Sequence, residues 1–349
     1  MLVVVSAALG AILAACGGGG GASDGARTPG AARTAVPTAI AASGGAGTGF
    51  LIVSKPEGLG EYDIAKKKSR TLIANPTPDT FLLDPAVSRD GAMLTYVVQP
   101  PPIVEGGKYD AGSDVWVANR DGSGARAVFT HIAPNQLARF PQFEDAAHIL
   151  AIVQELTVTS GATKVDYKLE RIDVATGQRS DVLTNVLAFG LSPDAKRAAF
   201  AQLAPQTGET LQAVELGGAP TTLVGLEQNL SPFNSPRYSP DGSKVAFSSA
   251  DQTGAVAPRR PGYALASFAP MPAPPADGLP EDIWVVDAAG GTPTRVADIK
   301  EDLPALSWSG DGRHIYVIGS QALYDVDLTN GAVDRIGEGA FHAQIVWTP

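Results

Sequence analysis

One short pattern recurs along this chain and decides what it can fold into. Residues 236–249 read PRYSPDGSKVAFSS: a strand, a tight turn, and a second strand. The Asp241-Gly242 pair supplies the turn chemistry. Aspartate bonds nearby backbone groups, and glycine accepts the positive φ that most residues resist. Related segments lie at 86–98 (AVSRDGAMLTYVV), 190–201 (GLSPDAKRAAFA) and 306–319 (LSWSGDGRHIYVIG), with a degraded copy at 140–153 (FPQFEDAAHILAIV). The turn pairs are thus Asp90-Gly91, Asp194-Ala195, Asp241-Gly242 and Asp311-Gly312. The Ser positions or their equivalents are Ser88, Glu144, Ser192, Ser239, Ser309 and Thr348, at intervals of 39 to 70 residues. Most of these intervals are near the ~40–45 residues of one propeller blade.

A second hairpin follows four of the copies. Asp114-Val115-Trp116-Val117 precedes Asp121-Gly122, and Asp282-Ile283-Trp284-Val285 precedes Gly290-Gly291. Leu323-Tyr324-Asp325-Val326 precedes Asn330-Gly331, and Glu170-Arg171-Ile172-Asp173 precedes Thr176-Gly177. Two hairpins per repeat make four strands, the content of a propeller blade. The order of the Pro-Asp-Gly turn, apolar strand, DIWVVD, Gly-Gly and TRV resembles the repeats of TolB-like β-propellers, over about residues 49–349. That resemblance implies an all-β propeller and an envelope setting with protein partners, peptidoglycan-associated lipoproteins among them. TolB itself carries an α/β domain ahead of its propeller, to which nothing in residues 17–48 corresponds.

The expected architecture is a ring of about six four-stranded blades. The first blade lacks its innermost strand: FLIVS at 50–54 has no Pro-Asp-Gly turn before it. Ala343-Gln344-Ile345-Val346-Trp347 at the far end would supply that strand and close the ring. Strands such as VAFSS and IWVVD do not alternate cleanly, which suits sheets covered on both faces. The other blades are expected at about 80–131, 135–185, 186–228, 229–299 and 302–339, the fourth being the least clearly marked. Insertions at 99–113 and 251–280 should both fall between second and third strands. The longer one places Arg259, Arg260, Tyr263, Phe268 and Met271 among prolines, a candidate partner-contact loop built of residue types that dominate binding hot spots.

Residues 1–15 read as a lipoprotein signal peptide, ending Leu13-Ala14-Ala15 before Cys16. The match is to the bacterial lipobox, which implies cleavage before Cys16 and its acylation. No Lys or Arg stands ahead of the apolar run, where a signal peptide normally has a positive start. Cys16 is the only cysteine, so no intrachain disulfide can form. Residues 17–48 are almost entirely Gly, Ala, Ser, Thr and Pro and cannot bury enough apolar surface to fold, as befits a flexible tether. Gly17 after the Cys, by resemblance to the sorting rule of enteric bacteria, favours the outer membrane over the inner.

A net charge of −10 argues against nucleic acid and against electrostatic binding to anionic lipid. His131, His148, His314 and His342 share no metal-ligand spacing, and neither HExxH nor GxSxG occurs. The Asp325–Gly331 stretch departs from a calcium loop at several positions and fits a strand and turn better. The expected function is therefore a lipid-anchored envelope protein, monomeric and without cofactor or metal, whose propeller binds another protein. The alternatives are a polysaccharide lyase or hydrolase and a glycan or small-ligand receptor. A receptor would need Trp116, Trp284, Trp308 or Trp347 exposed in a pocket, whereas their repeat positions suit packing between blades.

Overall fold

The computed structural model describes residues 47–101, 103–105, 108–132, 136–159, 162–204, 208–253 and 280–349. They form six antiparallel four-stranded blades. Blade one begins with β1 (Phe50–Lys55), β2 (Gly58–Asp63) and β3 (Lys68–Ala74). Blade two is β4 (Phe81–Val87), β5 (Met93–Gln99), β8 (Asp114–Asn119) and β9 (Arg126–Phe129), with a small hairpin of β6 (Ile103–Glu105) and β7 (Lys108–Asp110) set between its middle strands. Blade three is β10 (Gln136–Phe143), β11 (His148–Thr159), β12 (Ala162–Asp173) and β13 (Arg179–Thr184). Blade four is β14 (Val186–Leu191), β15 (Arg197–Ala204), β16 (Gly208–Glu215) and β17 (Thr221–Val224). Blade five is β18 (Asn234–Tyr238), β19 (Lys244–Ser249), β20 (Glu281–Asp287) and β21 (Thr294–Glu301). Blade six is β22 (Ala305–Trp308), β23 (His314–Ile318), β24 (Ala322–Asp327) and β25 (Ala332–Glu338).

The final strand, β26 (His342–Thr348), pairs antiparallel with β1, from Phe50 opposite Thr348 to Val53 opposite Ile345. Blade one thus takes its innermost strand from the other end of the chain, as the incomplete first repeat requires. The inner strands β4, β10, β14, β18, β22 and β26 each touch the next around the axis, and β26 returns to β4. Gly49, at φ 103°, admits this junction: a Cβ there would lie 2.5 Å from the Thr348 carbonyl oxygen.

Each blade is apolar on both faces because each is covered on both. Six hydrophobic cores lie in the six interfaces. Phe233, Phe247 and Trp284 of blade five meet Leu211 and Leu223 of blade four. Leu51, Tyr62 and Ile345 of blade one meet Tyr316 and Ile318 of blade six. Comparable cores join blades two and three, three and four, five and six, and one and two.

The blades define two faces. The turn face carries the first-to-second and third-to-fourth strand turns, including every Asp-Gly copy. The hairpin face carries the second-to-third hairpins and the connections between blades. The 99–113 insertion lies on the hairpin face as expected, and residues 254–279 fall between β19 and β20. Two extensions of that face were not legible in the repeats: the extra β6–β7 pair, and β11 and β12, which run to 12 residues each.

Ending the chain at Gly339 would remove β26 and with it Phe341 and Ile345 from a core. Large buried side chains contribute about 2–5 kcal/mol each. The shortened protein should therefore melt about 10 °C or more below the full chain. Equal melting temperatures would show that β26 does not close the ring.

Candidate functional site

The repeated Asp-Gly turns are built alike. Ser88, Ser192, Ser239 and Ser309 each donate through Oγ to Oδ1 of the Asp two residues on, at 2.6 Å. That Asp oxygen also accepts a backbone N–H beyond the turn, from Ala92, Lys196, Ser243 and Arg313 at 3.0 to 3.2 Å. The serine Oγ in turn accepts the N–H that opens the next strand, at Met93, Arg197, Lys244 and His314. Gly91, Gly242 and Gly312 sit at φ 70–74°, and Ala195 takes the same place at 52°. These bonds favour the charged carboxylate. Asp90, Asp194 and Asp311 are held below the usual range, chiefly by the serine hydroxyl, and Asp241 is lowered to about 2. The aspartates are structural. In the degraded copy Asp145 caps Ala147 and His148, and Glu144 replaces serine and accepts from Arg171 Nη2 at 2.6 Å.

Chemistry-bearing residues gather elsewhere, in the channel. Inner strands of four blades carry a residue at left-handed φ: Asp84 (51°), Phe140 (55°), Ser235 (48°) and Ala343 (59°). Pairing with the second strand shifts register at each of these places. Non-glycine residues in that region are strained and persist only where their surroundings hold them. A polar network does so here. Buried Arg139 of blade three donates through Nε to Asp84 Oδ2 of blade two at 2.6 Å, and the Phe140 N–H joins the same oxygen at 3.1 Å. Gln142 donates to the Phe189 carbonyl of blade four and accepts the Leu191 N–H. Arg237 of blade five donates to the Phe189 and Pro236 carbonyls and to Gln344 Oε1 of blade one. Ser235 also donates to that oxygen, at 2.8 Å, and accepts the Leu306 N–H of blade six. Burial pulls Arg237 down to about 10, against the attraction of Asp84 from the opposite blade. Asp84 Oδ1 is buried without a hydrogen-bond partner. The network crosses the axis and ties all six blades together.

A second cluster lies on the hairpin face between blades four and five. Glu209 accepts the Phe233 N–H at 2.7 Å, and Glu281 Oε1 accepts from Asn234 Nδ2 at 2.8 Å. Glu281 is 1% exposed, and its Oε2 has no partner. Burial pushes Glu209 up to about 7 and Glu281 up to about 8, with the charges of Glu209 and Asp302 adding to the rise at Glu281. On the turn face, an open groove of about 630 Å³ between blades one and two is lined by Phe50, Arg70, Asn119 and Arg120 around Glu61. Glu61 holds both arginines, at 2.7 Å from Arg70 Nε and from Arg120 Nη2, and Arg120 also reaches Thr348 Oγ1 at 3.0 Å. The groove therefore sits on the closure joint.

The remaining candidates are dispersed. His131, His148 and His314 each lie within 3.0 Å of an aspartate, Asp114, Asp145 and Asp325 respectively, in three separate places. Asp327 accepts from Thr329 and Asn330 in an ordinary turn. Trp284 and Trp308 are buried and donate to the Ser249 and Arg237 carbonyls. Trp116 and Trp347 pack against interface cores. Among the described residues, no group of three or more His, Cys, Asp or Glu could hold a metal ion, and no helix is long and apolar enough to cross a membrane. Cys16 and the loop residues Arg259, Arg260, Tyr263, Phe268 and Met271 lie outside the described residues. The channel network could have been anticipated from one signal only: Pro85, Pro141 and Pro236 each stand three residues ahead of Ser88, Glu144 or Ser239.

No family profile matches the sequence, and no curated protein does. Solved structures do share the fold. TolB from Acinetobacter baumannii superimposes with a TM-score of 0.59 at 15% identity, covering 87% of this chain and 68% of that one. A TolB from Agrobacterium tumefaciens gives 0.56 at 16% identity, covering 88% of this chain and all of that one. The fold is thus a TolB-like six-bladed propeller.

Two outcomes follow from the site geometry. Asp84→Asn keeps a side chain that tolerates left-handed φ but removes the charge that compensates Arg139. It should cost about 3–5 kcal/mol in chemical denaturation, and Arg139→Met in the same chain should recover part of the loss. A loss within error of zero would remove the channel pair from the fold's support. The second concerns pH. A carboxyl raised on folding adds stability below its unfolded value and loses it as pH rises through its folded one. The melting temperature should therefore fall as pH rises from about 4.5 to about 8, and Glu281→Gln should flatten that fall. A variant with the wild-type slope would exclude Glu281 as its source.

Proposed function

We propose that this chain is a lipid-anchored envelope lipoprotein whose propeller is a protein–protein interaction module, held at the membrane through Cys16 and the tether of residues 17–48. The observation that carries the reading is the unequal build of the two faces. Blades two and three lengthen their second-to-third connections with ordered strand, and blade five carries residues 254–279 at the same place. Blades one and six keep that connection short, Lys55 to Gly58 and Ile318 to Ala322. Elongated hairpins on neighbouring blades two and three add chain to one face without disturbing the ring. The channel arginines are tied to carbonyls, an amide and a carboxylate that join blades, so their arrangement serves the ring before any substrate. The likeness to TolB structures and the lipobox at Cys16 support an envelope setting, with Gly17 favouring the outer membrane.

The test is crosslinking in intact cells followed by affinity purification, with three proteins: the full chain, Cys16→Ala, and a chain lacking residues 255–278. The full chain should fractionate with membranes and bring down one defined envelope protein. Cys16→Ala should leave the membrane fraction, and the deletion should reduce recovery of the partner. Recovery of no defined protein with the full chain would sink the interaction module, and membrane retention of Cys16→Ala would sink the anchor.

A further inference from the structure

The two faces differ in charge and in where the chain joins the ring, and together these features assign the docking side. Gly47 to Phe50 reach the ring at the turn face. The Ile64 N–H donates to the Gly49 carbonyl, Trp347 Nε1 donates to the Thr48 carbonyl at 2.9 Å, and β1 starts at Phe50 opposite Thr348, the turn-face end of β26. The chain thus enters the ring at Gly47 on the side away from the hairpins.

On the turn face, charges alternate. Four of the repeat aspartates have a cation within three residues in sequence: Arg89, Lys196, Lys244 and Arg313. On the hairpin face, carboxylates dominate. Exposed Asp79 and Glu227 stand in the connections between blades, and exposed Glu338 ends β25. Among the lysines described on this side, Lys55 pairs with Glu57, Lys164 with Asp166, and Lys300 with Asp298. Most of the large hydrophobic side chains that stand exposed among the described residues are here as well. Ile132 is 81% exposed, and Leu203 and Leu303 are more than a third exposed, whereas Val333 is the one on the turn face. Acidic groups interspersed with aliphatic ones complement a surface that carries lysine or arginine around an apolar centre.

We infer that the hairpin face, opposite the chain's entry at Gly47, is the docking surface, and that its partner is a protein presenting a basic, aliphatic-bearing surface. The inference rests on the interaction-module reading above, and the experiment separates the two. A photoreactive residue is placed at Ile132, Leu203, Val333 or Arg89 of the full tethered chain, and crosslinking is run in intact cells. Adducts with one envelope protein should form from Ile132 and Leu203 and not from Val333 or Arg89. Adducts confined to Val333 or Arg89 would overturn the face assignment while leaving the module reading in place. No adduct from any position would overturn both.

Charge is tested on the Ile132 adduct. Asp79→Lys, Glu227→Lys and Glu338→Lys together should lower its yield by about tenfold, since like charges now meet across the interface. Arg89→Glu, Lys196→Glu and Arg313→Glu together, on the other face, should leave it within about twofold by the same reasoning. An unchanged yield in the first triple variant, with its melting curve intact, would overturn the basic partner.

Discussion

A blade with two apolar faces cannot stand alone, and that constraint organises the whole domain. Every blade is stable only between two others, so a row of them must either expose its ends or close. This chain closes, by placing β26 beside β1. The joint is reinforced on the turn face by Arg120, which bridges Glu61 of β2 and Thr348 of β26. It is reinforced at the axis by Gln344, which receives Arg237 and Ser235 from blade five. Closure covers the inner edge of β1 that would otherwise invite another strand. It also brings the two ends of the domain to one side of the ring, where Phe50 faces Thr348.

The fold was legible because its signal is local. A serine, an aspartate two residues on and a residue able to take positive φ form a closed set of hydrogen bonds, and that set needs no tertiary partner. Four copies with the set, and a fifth in which Glu144 and Arg171 replace the serine bonds, give the blade count once the missing strand before Phe50 is noticed. Leu51, Val53 and Ile345 then meet as the closure demands. The channel was not legible, because Asp84, Arg139, Arg237 and Gln344 come from four blades and occupy positions where the repeats differ. Only the ring places them together. The extensions of β11 and β12 were also hidden: Thr157-Val158-Thr159 has strand character but no repeat to measure it against.

The same chemical group has opposite fates on the two faces. Turn-face aspartates are exposed, and their oxygens are filled by hydroxyl and backbone donors, so their charge is favoured and Asp241 falls to about 2. Glu209 accepts the Phe233 N–H and Glu281 accepts from Asn234, and burial lifts them to about 7 and about 8. Solvent and donors decide these values, not proximity in sequence. The aspartates lend stability that fades as acid protonates them. The glutamates lend stability that fades as base removes their protons.

This difference bears on where function can reside. A carboxylate whose lone pairs are occupied by its own turn has little left to offer a partner, and changing it damages the hairpin first. The repeated aspartates, conspicuous in the sequence, are therefore poor candidates for recognition. Glu281, on the face that carries the longer hairpins, is in the reverse position: it is buried, one of its oxygens is unfilled, and burial raises it to about 8, so its protonation bears on stability and not on the charge of the surface. Sequence repetition thus marks the scaffold, and departures from the repeat mark what distinguishes this ring from others of the same fold: Glu209 and Glu281, the lengthened β11–β12 pair, and the exposed Ile132.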